Sequence, residues 1–304
     1  MKSTFRVAVL AFVILSVGLS CNKADMPVRS VVFKIDPYQQ NYDDGPLTRT
    51  SIINNGTFIW AEGDTVGIYP NSGSQVFFAM ESEAGASSAK FDGGGWAFKP
   101  SAVYYSYYPF IGDIYLDRTH IPVRFVGQKQ TSISDVEHIG PFDYMYTLPS
   151  SASNGEVSFT YKHLCCIIRP LVTLPAGTWT KLAITAPSKV FATKGYFDLT
   201  AVSPEIVPTA TSEQIQIDLE GITLTEQTSF MIYVLSAPVD LKGKEIIVSV
   251  RNSLGQEFQC KKTPSYVYTA GFIGGLTCNS WVEAPMSLII DDWGDGGSIS
   301  GTAE

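Results

Sequence analysis

The sequence predicts an all-β protein of about two domains, on three observations. First, the 26 glycines and 17 prolines among its 304 residues cannot sit in long helices, because both residue types weaken helix interiors. Second, short runs of alternating apolar and polar residues recur, with turn chemistry roughly every 8–12 residues between them. Third, at roughly 150 residues per domain the length argues for two. A hydrophobic share of 45% with only 16% charged residues supplies a packed core and excludes intrinsic disorder. Twenty-one basic against 29 acidic residues give a net charge of −8. Such a surface repels phosphate backbones, so nucleic acid is not an expected partner.

The first twenty residues read as an export signal. Lys2 and Arg6 form a basic start, residues 7–17 are an apolar run broken only by Ser16, and small Gly18 and Ser20 precede Cys21. The run is shorter than the roughly 20 residues that span a bilayer. A cysteine after small residues resembles a bacterial lipobox, although Gly18 stands where a branched residue is usual. On this reading residues 1–20 are a lipoprotein signal peptide. Cys21 is then acylated and becomes the mature N-terminus, held on a membrane surface outside the cytoplasm at ~0.8 kcal/mol per buried CH₂.

Next come the strands. Val31, Phe33 and Ile35 alternate with Val32, Lys34 and Asp36, the period of two of a half-buried strand. Residues 37–49 turn polar around Tyr42-Asp43-Asp44-Gly45-Pro46 and read as an exposed connector open to proteases. Short strands are expected at 57–60 and 65–69, around Glu62-Gly63-Asp64, and then at 75–80, 89–91, 97–98 and 103–109. Residues 132–139 read as no more than a helical turn. Small polar residues at 148–155 mark a linker, which places an N-terminal domain at 50–151 and a C-terminal domain at 152–304. Beyond it, strands are expected at 157–161, 164–174, 179–186, 189–200, 214–219, 230–235, 244–250 and 257–261. No long repeat appears, so a solenoid or propeller is excluded.

Chemistry leaves little trace. His120, His138 and His163 stand in no metal-ligand spacing, and no G-x-S-x-G elbow occurs. Gly93-Gly94-Gly95 and Gly274-Gly275 do not open helices, so they read as turns rather than phosphate cradles. Asp291-Asp292-Trp293-Gly294-Asp295 lacks the spacing and terminal glutamate of a calcium loop. No enzyme activity, metal or cofactor is expected. Tyr104 to Tyr108 and Tyr266 to Tyr268 could stack sugar rings or be ordinary sheet side chains. Cys165, Cys166, Cys260 and Cys278 allow three disulfide pairings in an oxidising compartment, or act as small apolar fillers. In a strand, adjacent Cys165 and Cys166 point to opposite faces, so at most one should meet the core.

Four stretches, taken in order, resemble the fimbrillin family of type V pilins, the Mfa-like and FimA-like proteins. They are the leader ending at Cys21, the Thr48-Arg49-Thr50 step, Phe58-x-Trp60-x-Glu62-Gly63-Asp64-x-Val66-Gly67-Ile68-Tyr69, and Phe159-Thr160-Tyr161-Lys162-His163-Leu164. The resemblance runs along most of the chain. It implies two tandem antiparallel β-sandwich domains of transthyretin-like, Greek-key type, and a structural subunit of a cell-surface fimbria. An arginine-specific protease would cut after Arg49, leaving Thr50 as the new N-terminus. The released propeptide, residues 21–49, would carry away the strand of Val31, Phe33 and Ile35. A strand from a neighbouring pilin subunit would then fill the groove.

Met286, Leu288 and Ile290 alternate in the tail and are the candidate donor strand, or else the last strand of their own domain. Arg29 is a second cleavage position but precedes the first strand, so a cut there releases nothing structural. The resemblance transfers no role to His163. It leaves open a stalk or tip position and a receptor on a host or bacterial surface. The alternative class is a monomeric surface glycan-binding lipoprotein, with the tyrosine clusters as its platforms.

Overall fold

A computed structural model describes residues 30–41, 58–82, 85–99, 102–113, 115–151 and 156–284. The strands of the first half are β1 (Ser30–Ile35), β2 (Gln39–Asn41), β3 (Thr65–Pro70), β4 (Val76–Ser82), β5 (Ser88–Asp92), β6 (Val103–Tyr108), β7 (Ile121–Arg124), β8 (Gln128–Lys129), β9 (Met145–Thr147), β10 (Ser150–Ser151) and β11 (Glu156–His163). The second half supplies β12 (Cys166–Leu174), β13 (Gly177–Thr185), β14 (Phe191–Phe197), β15 (Val207–Ser212), β16 (Gln214–Leu224), β17 (Thr228–Met231), β18 (Val234–Ser236), β19 (Ile246–Asn252), β20 (Glu257–Lys262), β21 (Phe272–Cys278) and β22 (Val282–Glu283). A 3₁₀ helix, Glu137–Phe142, precedes β9, a few residues later than the helical turn expected at 132–139. The fold is all-β, in keeping with a sandwich.

The first sheet runs β10-β6-β3-β4-β5-β1-β11-β9, and β9 also pairs back onto β6. It therefore wraps round its own core instead of lying open. The remaining described strands form sheets ordered β17-β12-β21-β2, β22-β20-β19-β13-β16-β8 and β15-β14-β7. Three strands from the first half, β2, β7 and β8, are thus members of sheets built mainly from the second. Buried residues of both halves belong to one contiguous apolar cluster.

The predicted boundary between residues 151 and 152 falls between β10 and β11, and both of these pair within the first sheet. The sheets hand over later, between His163 and Cys166. Small polar residues mark a chain connection, and a connection within one sheet reads in sequence like one between domains.

Two buried glutamines complete the junction. The Gln128 amide donates to the Leu235 carbonyl and accepts the Leu235 N–H, both at 2.8 Å. Gln130 accepts the Tyr233 N–H at 3.2 Å and donates to the Met231 carbonyl at 3.0 Å. Each side chain stands in for a strand neighbour where β17 gives way to β18, so the buried backbone there stays paired. His138 adds a third tie, its Nε2 donating to the Tyr233 carbonyl at 2.8 Å.

Several expectations are corrected by packing. Phe58 and Trp60 are buried but form no strand. Gly274 and Gly275 lie inside β21 rather than in a turn. A side chain on Gly274 would collide with the rings of Tyr266, Tyr268 and Phe272, so close packing, not a bend, explains the glycine. Cys165 and Cys166 are both fully buried, and all four late cysteines are free thiols. Two cores receive the pair because the chain crosses between sheets at this point. Cys165 meets Phe142 and Tyr144 on one side, and Cys166 meets Ser236 and Ala237 on the other.

Burial holds the His138 ring below its usual titration range. The unfolded chain therefore binds a proton at higher pH than the folded chain, and stability rises with pH across that interval. Lowering the pH below about 6.5 should reduce the unfolding free energy measured by urea titration. In His138→Gln that fall should be smaller.

Candidate functional site: the first-strand slot and its latch

β1 lies between two neighbours. It runs parallel to β11, with Val31, Phe33 and Ile35 opposite Val157, Phe159 and Tyr161, and antiparallel to β5. Alternation sends Val31, Phe33 and Ile35 into the core, while Lys34 stays in solvent. The Phe33 ring is fully buried among Phe91, Phe159, Tyr161 and Phe78, at centroid distances of 4.6, 5.4, 5.9 and 6.5 Å. At ~1.5–3 kcal/mol per buried side chain, the three contribute roughly 5–9 kcal/mol. That matches the whole net stability of an ordinary domain, about 5–15 kcal/mol. An emptied slot would also expose unpaired backbone on both β5 and β11.

The motif at 58–69 frames this slot. Trp60 packs edge-on against Phe91, Tyr108 and Tyr161. Asp64 closes the turn by accepting the Ala61 N–H at 2.7 Å and the Tyr108 hydroxyl at 2.8 Å. Burial raises its carboxyl above the usual range. Gly67 leaves room for the Tyr107 ring, which a Cβ would strike.

Beyond β1 the chain enters a buried latch. Tyr38 donates its hydroxyl to Asp143 Oδ1 at 2.7 Å, and its ring lies over the His163 imidazole with centroids 3.8 Å apart. His163 Nδ1 sits 2.8 Å from Asp143 Oδ2, and Nε2 sits 2.8 Å from the Asp36 carbonyl. Nε2 therefore donates to the carbonyl, and a single proton bridges Nδ1 and the Asp143 carboxyl. The His163 and Asp143 side chains are 1% and 0% exposed, which makes this a fully desolvated pair. Burial first, and Asp143 second, push the Tyr38 phenol well above its usual range. Immediately after, β2 pairs in parallel with β21 through Gln39, Gln40 and Asn41.

The segment 30–41 is therefore fastened three times: in the first sheet, at the latch, and on a sheet of the second half. The sequence predicts an exposed connector at 37–49, assigns His163 no role and does not single out Tyr38 or Asp143. The available signal was an acid between two aromatics, Phe142-Asp143-Tyr144, which fits a buried partner better than a surface loop. Cys21, Arg29, Arg49, Thr50, Met286, Leu288 and Ile290 lie outside the described residues. The tyrosine clusters offer no open platform: Tyr104, Tyr107, Tyr108 and Tyr268 are buried, and Tyr105 and Tyr266 are half-buried. His120 is exposed beside Asp117.

Two measurements probe the slot. Phe33→Ala should cost about 3–5 kcal/mol of unfolding free energy, against about 0.5 or less for Lys34→Ala on the solvent face, both read by urea denaturation. Asp143→Ala leaves the buried Tyr38 hydroxyl and His163 Nδ1 without their partner and should cost about 2–6 kcal/mol, at about 1–3 for each orphaned group. Tyr38→Phe, which removes one hydrogen bond, should cost about 0.5–1.5. Equal effects of Asp143→Ala and Tyr38→Phe would mean that the His163–Asp143 contact adds nothing beyond the Tyr38 hydrogen bond.

No family model matches the sequence, and no curated protein matches it either. Solved structures do. A candidate cell adhesion protein from Bacteroides ovatus superposes with a TM-score of 0.53 at 12% identity, over 85% of this chain and 96% of its own. A candidate cell adhesion protein from Bacteroides thetaiotaomicron gives 0.42 at 17% identity, over 90% and 98%. The tip fimbrial protein Mfa3 from Porphyromonas gingivalis, with a C-terminal truncation, gives 0.38 at 9% identity, over 79% and 92%. The structural neighbours are thus cell-adhesion and fimbrial proteins, and the chain shares the fold of the Bacteroides ovatus protein over most of both lengths.

Proposed function

We propose that this chain is a structural subunit of a cell-surface fimbria, assembled by protease-triggered strand exchange at the β1 slot. It reaches the outer membrane as a lipoprotein through Cys21, and an arginine-specific protease cuts after Arg49. The new N-terminus is Thr50, and the vacated slot accepts a strand from another pilin subunit. In stalk or tip position the assembled subunit contributes to adhesion, including contact with a host or bacterial surface receptor.

The observation that carries this reading is the placement of β1. It is the first described strand, yet it occupies an interior position of its sheet, paired on both sides. A cut after Arg49 would sever its covalent link to the strands that follow. The gap it leaves has the period, the apolar lining and the two unpaired edges that strand addition uses. Its energetic size argues for refilling over persistence as a hole. The inward-turned tyrosines lend no weight to the glycan-binding alternative.

Intact mass and N-terminal sequencing of protein from the native cell surface should give a start at Thr50. A lipidated Cys21 with the Arg49 loop intact would sink the polymerising reading. It would leave a membrane-bound anchor or a monomeric glycan-binding lipoprotein.

A further inference from the structure

We infer that residues 50–54 of this chain, once freed at Thr50, fold back at Asn55-Gly56 into a groove beside Phe58, where the new terminal ammonium pairs with Asp64. The inference rests on the cut after Arg49 proposed above. It concerns a groove separate from the first-strand slot, since no residue of β1 lines it.

The groove, of about 690 Å³, opens between the turn at 61–64 and the 3₁₀ helix. That volume falls within the roughly 300–1,000 Å³ of ligand-binding clefts. Phe58, Tyr108, Val136 and Ile139 give it apolar walls, and Glu62, Asp64 and Glu137 bring carboxylates to it. No lysine, arginine or histidine is among its described lining residues, so its field favours a cation. Asp64 accepts the Ala61 N–H on one oxygen and the Tyr108 hydroxyl on the other. A carboxylate has about four acceptor sites, so both oxygens can take a further donor. Burial opposes the charge of Asp64, and a cation beside it would offset that cost.

The chain itself delivers the occupant. The 16 residues between Asn41 and Phe58 lie outside the described ones, and they rejoin the fold at Phe58, on the groove wall. A cut after Arg49 leaves eight of them, 50–57, attached. Asn55-Gly56 is the preferred dipeptide of a two-residue hairpin turn. A hairpin there sets Ile53 opposite Phe58, Ile52 opposite Ile59, and Thr50 opposite Ala61, the first residue of the turn that Asp64 closes. The backbone has an edge free for this pairing. Trp60 bonds Gly85 and Ala86 through its own C=O and N–H, so those of Ile59 point to the other edge. Ile52 and Ile53 are the apolar residues of an otherwise small and polar arm, and they match the apolar walls. Before the cut the Thr50 nitrogen is a neutral amide. Cleavage makes it an ammonium, so the groove distinguishes the processed chain from its precursor.

The test uses the chain without its leader, carrying a site-specific protease sequence in place of residues 44–49, so that cleavage leaves Thr50 first. Such a cut removes no described residue. Acylation of the Thr50 amino group is then followed by mass spectrometry, beside a synthetic peptide of residues 50–57. Pairing with Asp64 should raise the titration of the ammonium by about one unit above its usual 7.7–8.0, which makes acylation at neutral pH about tenfold slower than in the peptide. Ile53→Asp and Gly56→Val, both in the arm and outside the described fold, should each restore the rate of the peptide. Asp64→Asn should restore it as well. A rate in the unaltered nicked chain equal to that of the peptide would overturn the docking. So would slow acylation that survives any of the three substitutions, since the terminus would then be shielded elsewhere. Because the protease is added to purified protein, these rates do not depend on whether the native chain is cut after Arg49. A native start other than Thr50 would overturn the processing reading by itself, and a native Thr50 that is acylated rapidly would overturn the docking alone.

Discussion

The structure depends on one constraint: its first described strand is an interior strand. A β-strand inside a sheet satisfies backbone groups on both edges, and β1 does so against β5 and β11. The first sheet closes round its core only because β1 bridges these neighbours. On one side of it lie β4, β3 and β6, and on the other lies β9, which returns to β6. Without β1 the circuit opens, and the aromatic rings stacked on Phe33 lose the surface they pack against. Terminal strands elsewhere are often dispensable edges, but this one is a keystone made of six residues.

The latch is an unusual way to hold such a strand. An apolar contact at residue 38 would be as stabilising as a desolvated polar pair or more so, because the cost of burying polar groups cancels much of their attraction. What a polar pair adds is direction. Asp143 and His163 accept and donate along fixed lines, so they reward one placement of the chain and penalise its neighbours. Apolar side chains at alternate positions cannot do this, since Val31, Phe33 and Ile35 would be almost interchangeable under a shift of two. Fold closure and strand identity are thus assigned to different residues within one segment of twelve.

How much of this was legible follows from the range of each interaction. The strand of Val31, Phe33 and Ile35 was readable because its signal is local, an alternation within six residues. The turn at Gly63 and the all-β class were readable for the same reason. The latch was not, because Tyr38 and Asp143 are 105 residues apart and neither sits in a periodic run. Gly274 looked like a turn because a glycine in sequence reports freedom of the backbone, whereas here it reports the closeness of Tyr266 and Tyr268. Cys165 and Cys166 looked like a one-in, one-out pair because alternation assumes a single core. The chain changes sheets between them, so both faces are inside. The handover between sheets was hidden for a related reason: composition marks where the chain turns, and only the pairing of β11 with β1 shows which turns leave the sheet.

On the proposed reading, the cut acts through concentration more than through contact energy. While β1 is covalently attached, its effective concentration at the slot is of the order of millimolar for a short flexible link, and no free strand competes with it. Exchange on this reading needs no strong new interaction. It needs the resident to lose its tether and the incoming strand to gain one, by belonging to a subunit held alongside. Severing the connector reverses which of the two is local. The segment leaves only after all three ties have opened, the pairing of β2 with β21 among them.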